Sequence, residues 1–246
     1  MNYELTDETI QYAGVTLYRI RALVDMPYHG VKVGDLGGFI EKVENLQGNA
    51  WVSGNAWVSG DAKVSGNARI FGNAQVFDNA QVFGNAWVSG NAKVFGYAWV
   101  SGNAKVSGDA SVYDDAVATG DARIFGNAKV FGYAQVFGNA WVSGNAQVCG
   151  NAEVSGNAQV FDNAQVSGDA RVFDGAQVCG NAEVCGDAQV YDNALVSGDA
   201  RVYGNAQVYG YARVYGNAWV YGNAQVYDNA WVSGNARVSD DAEVCE

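Results

Sequence analysis

The side chains able to do chemistry are few, and most recur at fixed offsets. The single histidine, His29, lies in Met26-Pro27-Tyr28-His29-Gly30 and belongs to no repeat. A histidine can act as general base toward a hydroxyl or amine, and His29 is the one residue here suited to that task. The four cysteines, Cys149, Cys179, Cys185 and Cys245, each follow a valine, and no histidine accompanies them for zinc. All seven tryptophans, residues 51, 57, 87, 99, 141, 219 and 231, follow an alanine. Nine of the ten phenylalanines and seven tyrosines follow a valine or isoleucine. Such ordered aromatics point to a contact surface or to mutual stacking rather than to catalysis.

The element that must position these residues is a hexad. From Gly48 onward the chain reads Gly-Asn-Ala-x-Val-x without insertion, with Ala at every sixth place from Ala50 to Ala242. Alternation along a strand sends Ala and Val to one face and the two variable residues to the other. Gly-Asn or Gly-Asp then turns the chain, and Asn is the residue expected to adopt the left-handed conformation. Three hexads make an 18-residue, three-sided coil. The 33 hexads give about 11 coils, a length of about 53 Å at the strand spacing. The fold expected is all-β, a parallel β-helix over residues 48–246 behind an N-terminal β-hairpin cap over residues 1–47. In the cap, Thr9–Tyr12 and Val15–Leu23 flank Ala13-Gly14 as hairpin arms, and Ile40 and Leu46 already fall in the valine register.

Composition excludes several classes. The 246 residues carry 26 acids against 14 bases, 32 Gly and one Pro, with 49% hydrophobic residues. Gly, Val and Asn disfavour helix, and the hydrophobic content argues against disorder. No apolar run approaches a membrane span. Met1-Asn2-Tyr3-Glu4-Leu5 lacks the basic start and apolar core of a signal peptide, so with unpaired cysteines the expected compartment is the cytoplasm. The repeats net −9, their bases scattered among acids, and no basic stripe tracks phosphates, so direct nucleic-acid binding is not expected. Cys149 and Cys185 lie two coils apart and Cys179 and Cys185 on adjacent faces, unsuited to disulfides. Asp169 with Asp187, and Asp174 with Asp192, are one coil apart. They lack a calcium-binding β-roll pattern and read as corner residues, so no metal site and no cofactor are assigned.

The spacing of Val52 to Ala56 and Val58 to Ala62, an aliphatic residue followed four places later by a small one, resembles the hexapeptide-repeat family of parallel β-helices. The segment Val31-Lys32-Val33-Gly34-Asp35-Leu36-Gly37-Gly38-Phe39-Ile40, followed by the repeats, looks like its YdcK-like branch of bacterial and prophage proteins, often labelled acyltransferases. The resemblance implies a left-handed coil. It also implies a base histidine for any acyltransferase, a role open only to His29. The aliphatic residue is often followed by Gly in acyltransferases, but here by Ser, Phe, Tyr or Cys.

Residues 18 apart form three ladders: Phe77, Phe95, Tyr113 and Phe131; Phe173, Tyr191, Tyr209 and Tyr227; and Tyr203 with Tyr221. These are the candidate surface for a protein or glycan partner. No polar cap follows the last hexad, so Trp231, Val238, Val244 and Cys245 are the candidate residues for tail-to-tail homodimerisation. The function expected is a non-catalytic, rigid scaffold or protein-interaction rod. Two alternatives stand beside it: a phage- or prophage-type binding protein that antagonises a host factor or mimics DNA, and an atypical hexapeptide acyltransferase.

Overall fold

Each hexad contributes one two-residue strand, the variable residue after Ala and the Val that follows it, from Trp51–Val52 to Glu243–Val244. The computed structural model describes residues 1–246. The chain is an all-β parallel β-solenoid of about 11 turns with three sheets. It divides into two compact units, Met1–Gly120 and Asp121–Glu246. No helix is long and apolar enough to cross a membrane.

Within each unit, successive coils pair in parallel with an 18-residue register. In the first, Trp57 and Val58 pair with Gln75 and Val76, which pair in turn with Lys93 and Val94. In the second, Gln165 and Val166 lie between Gln147 and Val148 on one side and Glu183 and Val184 on the other. Three further amides of each hexad donate to the following coil. Asn55 N–H donates to Gly72 O at 2.8 Å, Trp57 N–H to Ala74 O at 3.0 Å and Ser59 N–H to Val76 O at 3.0 Å. The same trio recurs at Asn145, Gln147 and Cys149. Ala56 N–H closes the corner onto Ser53 O at 3.4 Å. The interior of the coils is then Ala and Val, with Ile70 and Ile124 in two Val positions, fully buried along most of its length, each valine contributing about 1.5–3 kcal/mol of transfer free energy.

The corners correct one expectation. The residue with positive φ is the Gly or Asp that precedes Asn, and no Asn of the repeats adopts it. Gly126, at φ +70°, shows why: a Cβ there would sit 3.0 Å from Gly144 N in the next coil. The first corner position is thus both left-handed and crowded, which selects Gly. Asn follows in ordinary backbone, with its amide free to bond along the stack.

The N-terminal hairpin is present with a longer first arm than expected. Strand β1 (Tyr3–Tyr12) pairs antiparallel with β2 (Val15–Ala22) around Ala13 and Gly14, both at positive φ. Strand β3 (Leu36–Ile40) pairs antiparallel with β2 and in parallel with Trp57–Val58, placing Phe39 beside Trp57 and Ile40 beside Val58. Leu46 bridges Val64, as its register requires. Gly37 allows this junction, since a Cβ there would meet Val52 O at 2.6 Å.

A second correction concerns two tryptophans. Trp51 and Trp57 occupy outward positions of their coils but are 4% and 5% exposed. Trp57 packs with Leu17 and Phe39 in one apolar cluster, because the cap covers its coil.

Candidate functional site

The predicted aromatic columns exist and are tightly stacked. Phe77–Phe95 and Phe95–Tyr113 have ring centroids 4.9 Å apart and planes within 2°. Phe131, the fourth residue of that series, belongs to the second unit. Phe173, Tyr191, Tyr209 and Tyr227 follow at 4.9, 4.9 and 5.2 Å, parallel within 7°. Tyr203 and Tyr221 lie 5.1 Å apart at 4°. A ring with parallel neighbours above and below presents its edge outward and keeps its π faces for those neighbours. The first column also extends upward into residues outside the predicted ladder: Trp57 lies 5.6 Å from Phe77, and Tyr12 of the hairpin 4.5 Å from Trp57.

Diagonal partners 16 residues apart tie the two outward positions together. Phe71 meets Trp87 edge to face at 6.0 Å, Phe83 meets Trp99 at 5.5 Å and Tyr203 meets Trp219 at 6.2 Å. Along the same diagonal, the Tyr191 hydroxyl donates to Gln207 Oε1 and the Tyr209 hydroxyl to Gln225 Oε1, both at 3.2 Å. Vertically, Trp87 lies between Arg69 at 5.1 Å and Lys105 at 4.8 Å, and Trp219 between Arg201 and Arg237. The sequence signal for these contacts was the offset of 16, which an 18-residue count alone passes over. Burial raises the Tyr191 phenol, reinforced by Tyr209 and Asp192. A hydrogen bond with Cys245, with Glu243 adding charge, pushes Tyr227 well above the usual phenol range.

The corner asparagines form ladders of their own. In the second unit, each Nδ2 donates to the next Oδ1 from Asn127 through Asn145, Asn163 and Asn181 to Asp199, at 2.9–3.0 Å. In the first unit, Asn55, Asn73 and Asn91 lead in the same way to Asp109. An Asp in the Asn position ends a ladder because a carboxylate accepts but cannot donate. An Asp in the Gly position instead takes an amide of the next coil, as Asp162 Oδ2 does from Gly180 N–H at 3.2 Å.

His29 is buried in a short 3-10 turn, Pro27–His29, against the first coil. Its Nε2 is bonded to the backbone oxygen of Asn49, so Nε2 carries the proton, while Nδ1 is buried without a partner. Burial lowers its pKa, and Arg69 lowers it further against the opposing pull of the Asn49 bond. A base in this state holds its lone pair away from solvent. The cysteines are all free, and burial pushes the thiols of Cys149, Cys179 and Cys185 up, away from the reactive thiolate. No group of three or more His, Cys, Asp or Glu side chains that could hold a metal occurs.

The four residues expected at a self-association surface differ in exposure. Val238 is buried, Val244 half-buried, Cys245 exposed and Trp231 62% exposed. Trp231 carries Arg213 over its ring at 5.5 Å and meets Tyr215 edge-on at 6.5 Å. With Leu195 and Ser197 these line a shallow cleft of about 230 Å³. A larger cleft, about 410 Å³, lies in the first unit between the hairpin turn and the first coils.

The YdcK beta solenoid repeat model matches residues 62–76, 74–90, 134–150, 146–162, 164–180, 188–204, 196–210, 206–222, 212–228 and 224–240. No curated protein matches the sequence. Among solved structures, the chain is similar to the UDP-N-acetylglucosamine acyltransferase of Francisella novicida. The identity is 12% and the TM-score 0.34, over 81% of this chain and 68% of that one. That likeness is too loose to carry an activity across.

Proposed function

The chain belongs to the YdcK beta solenoid repeat family, whose model matches just over half of its residues, and from that premise we propose a non-catalytic structural scaffold. The observation that carries this reading is how the outward side chains are used. Rings stack on rings, indoles lie between cations, and corner amides bond to corner amides from one coil to the next. Such a surface stiffens each unit and leaves few groups poised for a reaction. The one histidine supports the same reading, since its bonded Nε2 and enclosed Nδ1 leave no accessible base.

The scaffold presents partners with its exposed aromatic surface rather than its ladders: Tyr97, Tyr133 and Tyr211 at corners, and Trp231. We further propose that it self-associates through the coil bearing Trp231, Val238, Val244 and Cys245, where Ala236 and Ala242 are also exposed. Light scattering of the 26.0 kDa chain is expected to read a dimer that Val244→Asp converts to monomer; a monomeric wild type overturns self-association. Calorimetry with acetyl-CoA is expected to show no binding. Saturable binding abolished by His29→Gln would overturn the non-catalytic reading.

A further inference from the structure

The 410 Å³ cleft beside the hairpin falls within the size range of small-molecule sites. Its apolar walls come from separate elements: Tyr12 from β1, Leu17 from β2, and Trp57 and Phe77 from the first two coils. The rings here do not stack as they do elsewhere. Tyr12 and Trp57 are inclined by 43°, and Trp57 and Phe77 by 32°, whereas the ladder pairs are parallel within 7°. Trp57 itself is buried under the cap, so the open ring surface here is that of exposed Tyr12 and half-buried Phe77.

The charges lining this cleft are of one sign. Glu41 and Asp78 contribute carboxylates, and no Lys, Arg or His lines it. Glu41 is held in place: its Oε2 accepts Gly60 N–H at 2.6 Å. Asp78 is anchored at a left-handed corner, with Oδ2 accepting Gly96 N–H at 3.4 Å. The adjacent cation Lys42 is spent on Asp61, 2.7 Å away. Aromatic faces attract cations, and fixed carboxylates add Coulombic attraction in a site partly shielded from water.

We propose that this cleft binds an organic ammonium ion, with the charged head toward Glu41 and Asp78 and the apolar body against Tyr12 and Phe77, the two rings that contact buried Trp57. The inference rests on the first unit alone and is independent of the scaffold reading. It is tested on the full chain with choline and its neutral isostere, 3,3-dimethylbutan-1-ol, by calorimetry and by the indole N–H resonances. Choline is expected to bind saturably and to shift the Trp57 indole signal, with the alcohol binding at least tenfold more weakly. Glu41→Gln keeps an acceptor for Gly60, and Asp78→Asn changes an exposed side chain, so both fold; each is expected to weaken choline several-fold. Tyr12→Ala is expected to do the same without loss of the carboxylates. Absence of saturable binding, equal affinity for the alcohol, or binding that leaves Trp57 and both carboxylate variants unchanged would each overturn the proposal.

Discussion

His29 shows how one side chain couples the cap to acidity. Its pKa is lowered from 6.5 chiefly by burial, so the folded state holds the neutral ring while the unfolded chain takes up a proton near 6.5. Stability therefore falls as pH drops below about 6.5 and is regained above it. His29→Gln retains an N–H donor for Asn49 and does not titrate. Denaturation from pH 5.0 to 7.5 is expected to show a steeper loss for the wild type than for this variant; parallel curves would refute it. Gly126 permits a second test. Gly126→Ala is expected to cost about 1–2 kcal/mol, the penalty of a left-handed residue with a side chain. Gly126→Asp is expected to cost less, because the carboxylate can take Gly144 N–H as Asp162 takes Gly180 N–H; chemical denaturation ranks the two. Gly and Asn were legible as corner residues, but which of them turns left-handed was not. That choice depends on the backbone of the adjacent coil, 18 residues away.

The ladders are elements in their own right, and they were read unequally. The aromatic columns followed from residues 18 apart, because identical vertical neighbours are visible as text. The diagonal contacts of Tyr191 with Gln207, or Phe71 with Trp87, were not, since they join chemically different positions. Asn ladders escaped notice for a simpler reason: Asn already had a sufficient explanation as a turn former. Their breaks are now readable. Asp199 accepts from Asn181, while Asn217 begins a new donation to Asn235. Asp199→Asn is expected to join the two runs and to stabilise the second unit by about 0.5–1 kcal/mol, measured by urea denaturation. Tyr209 lies between Tyr191 and Tyr227 and also bonds Gln225. Tyr209→Ala is expected to cost about 1–2 kcal/mol; a neutral result would mean that the column adds nothing to the strands beneath it.

Across the chain, repetition made the solenoid legible from its text. Period, coil size, interior and three-sheet order all follow from a hexad whose Ala and Val have one inward direction. The cap was legible only in outline, because its contacts are made once each. Asn45 is the clearest case: fully buried, it donates Nδ2 to Gly60 O at 3.1 Å and Ala62 O at 2.9 Å. Nothing in Val43-Glu44-Asn45-Leu46 announces this. Asn45→Ala strands two carbonyls, and a loss of about 2–3 kcal/mol is expected for the first coils. Hydrogen exchange should show it as lost protection around residues 39–64, with residues 121–246 unchanged, as nearest-neighbour stability requires.

The forward donation of Asn, post-Ala and post-Val amides gives the stack a grammar. The Gly, Ala and Val carbonyls accept from the coil before, so the first coil meets the cap with a face rich in acceptors. The cap answers in kind: Asn2 donates to Gly48 O, Tyr3 lies within bonding distance of Val43 O and Leu46 O, His29 donates to Asn49 O, and Asn45 to Gly60 O and Ala62 O. A plug for this face must supply mostly donors, with an acceptor such as Glu41 Oε2 for Gly60 N–H. The two sides of a coil therefore offer a partner different chemistry, rich in carbonyls on the leading side and rich in amides on the trailing side.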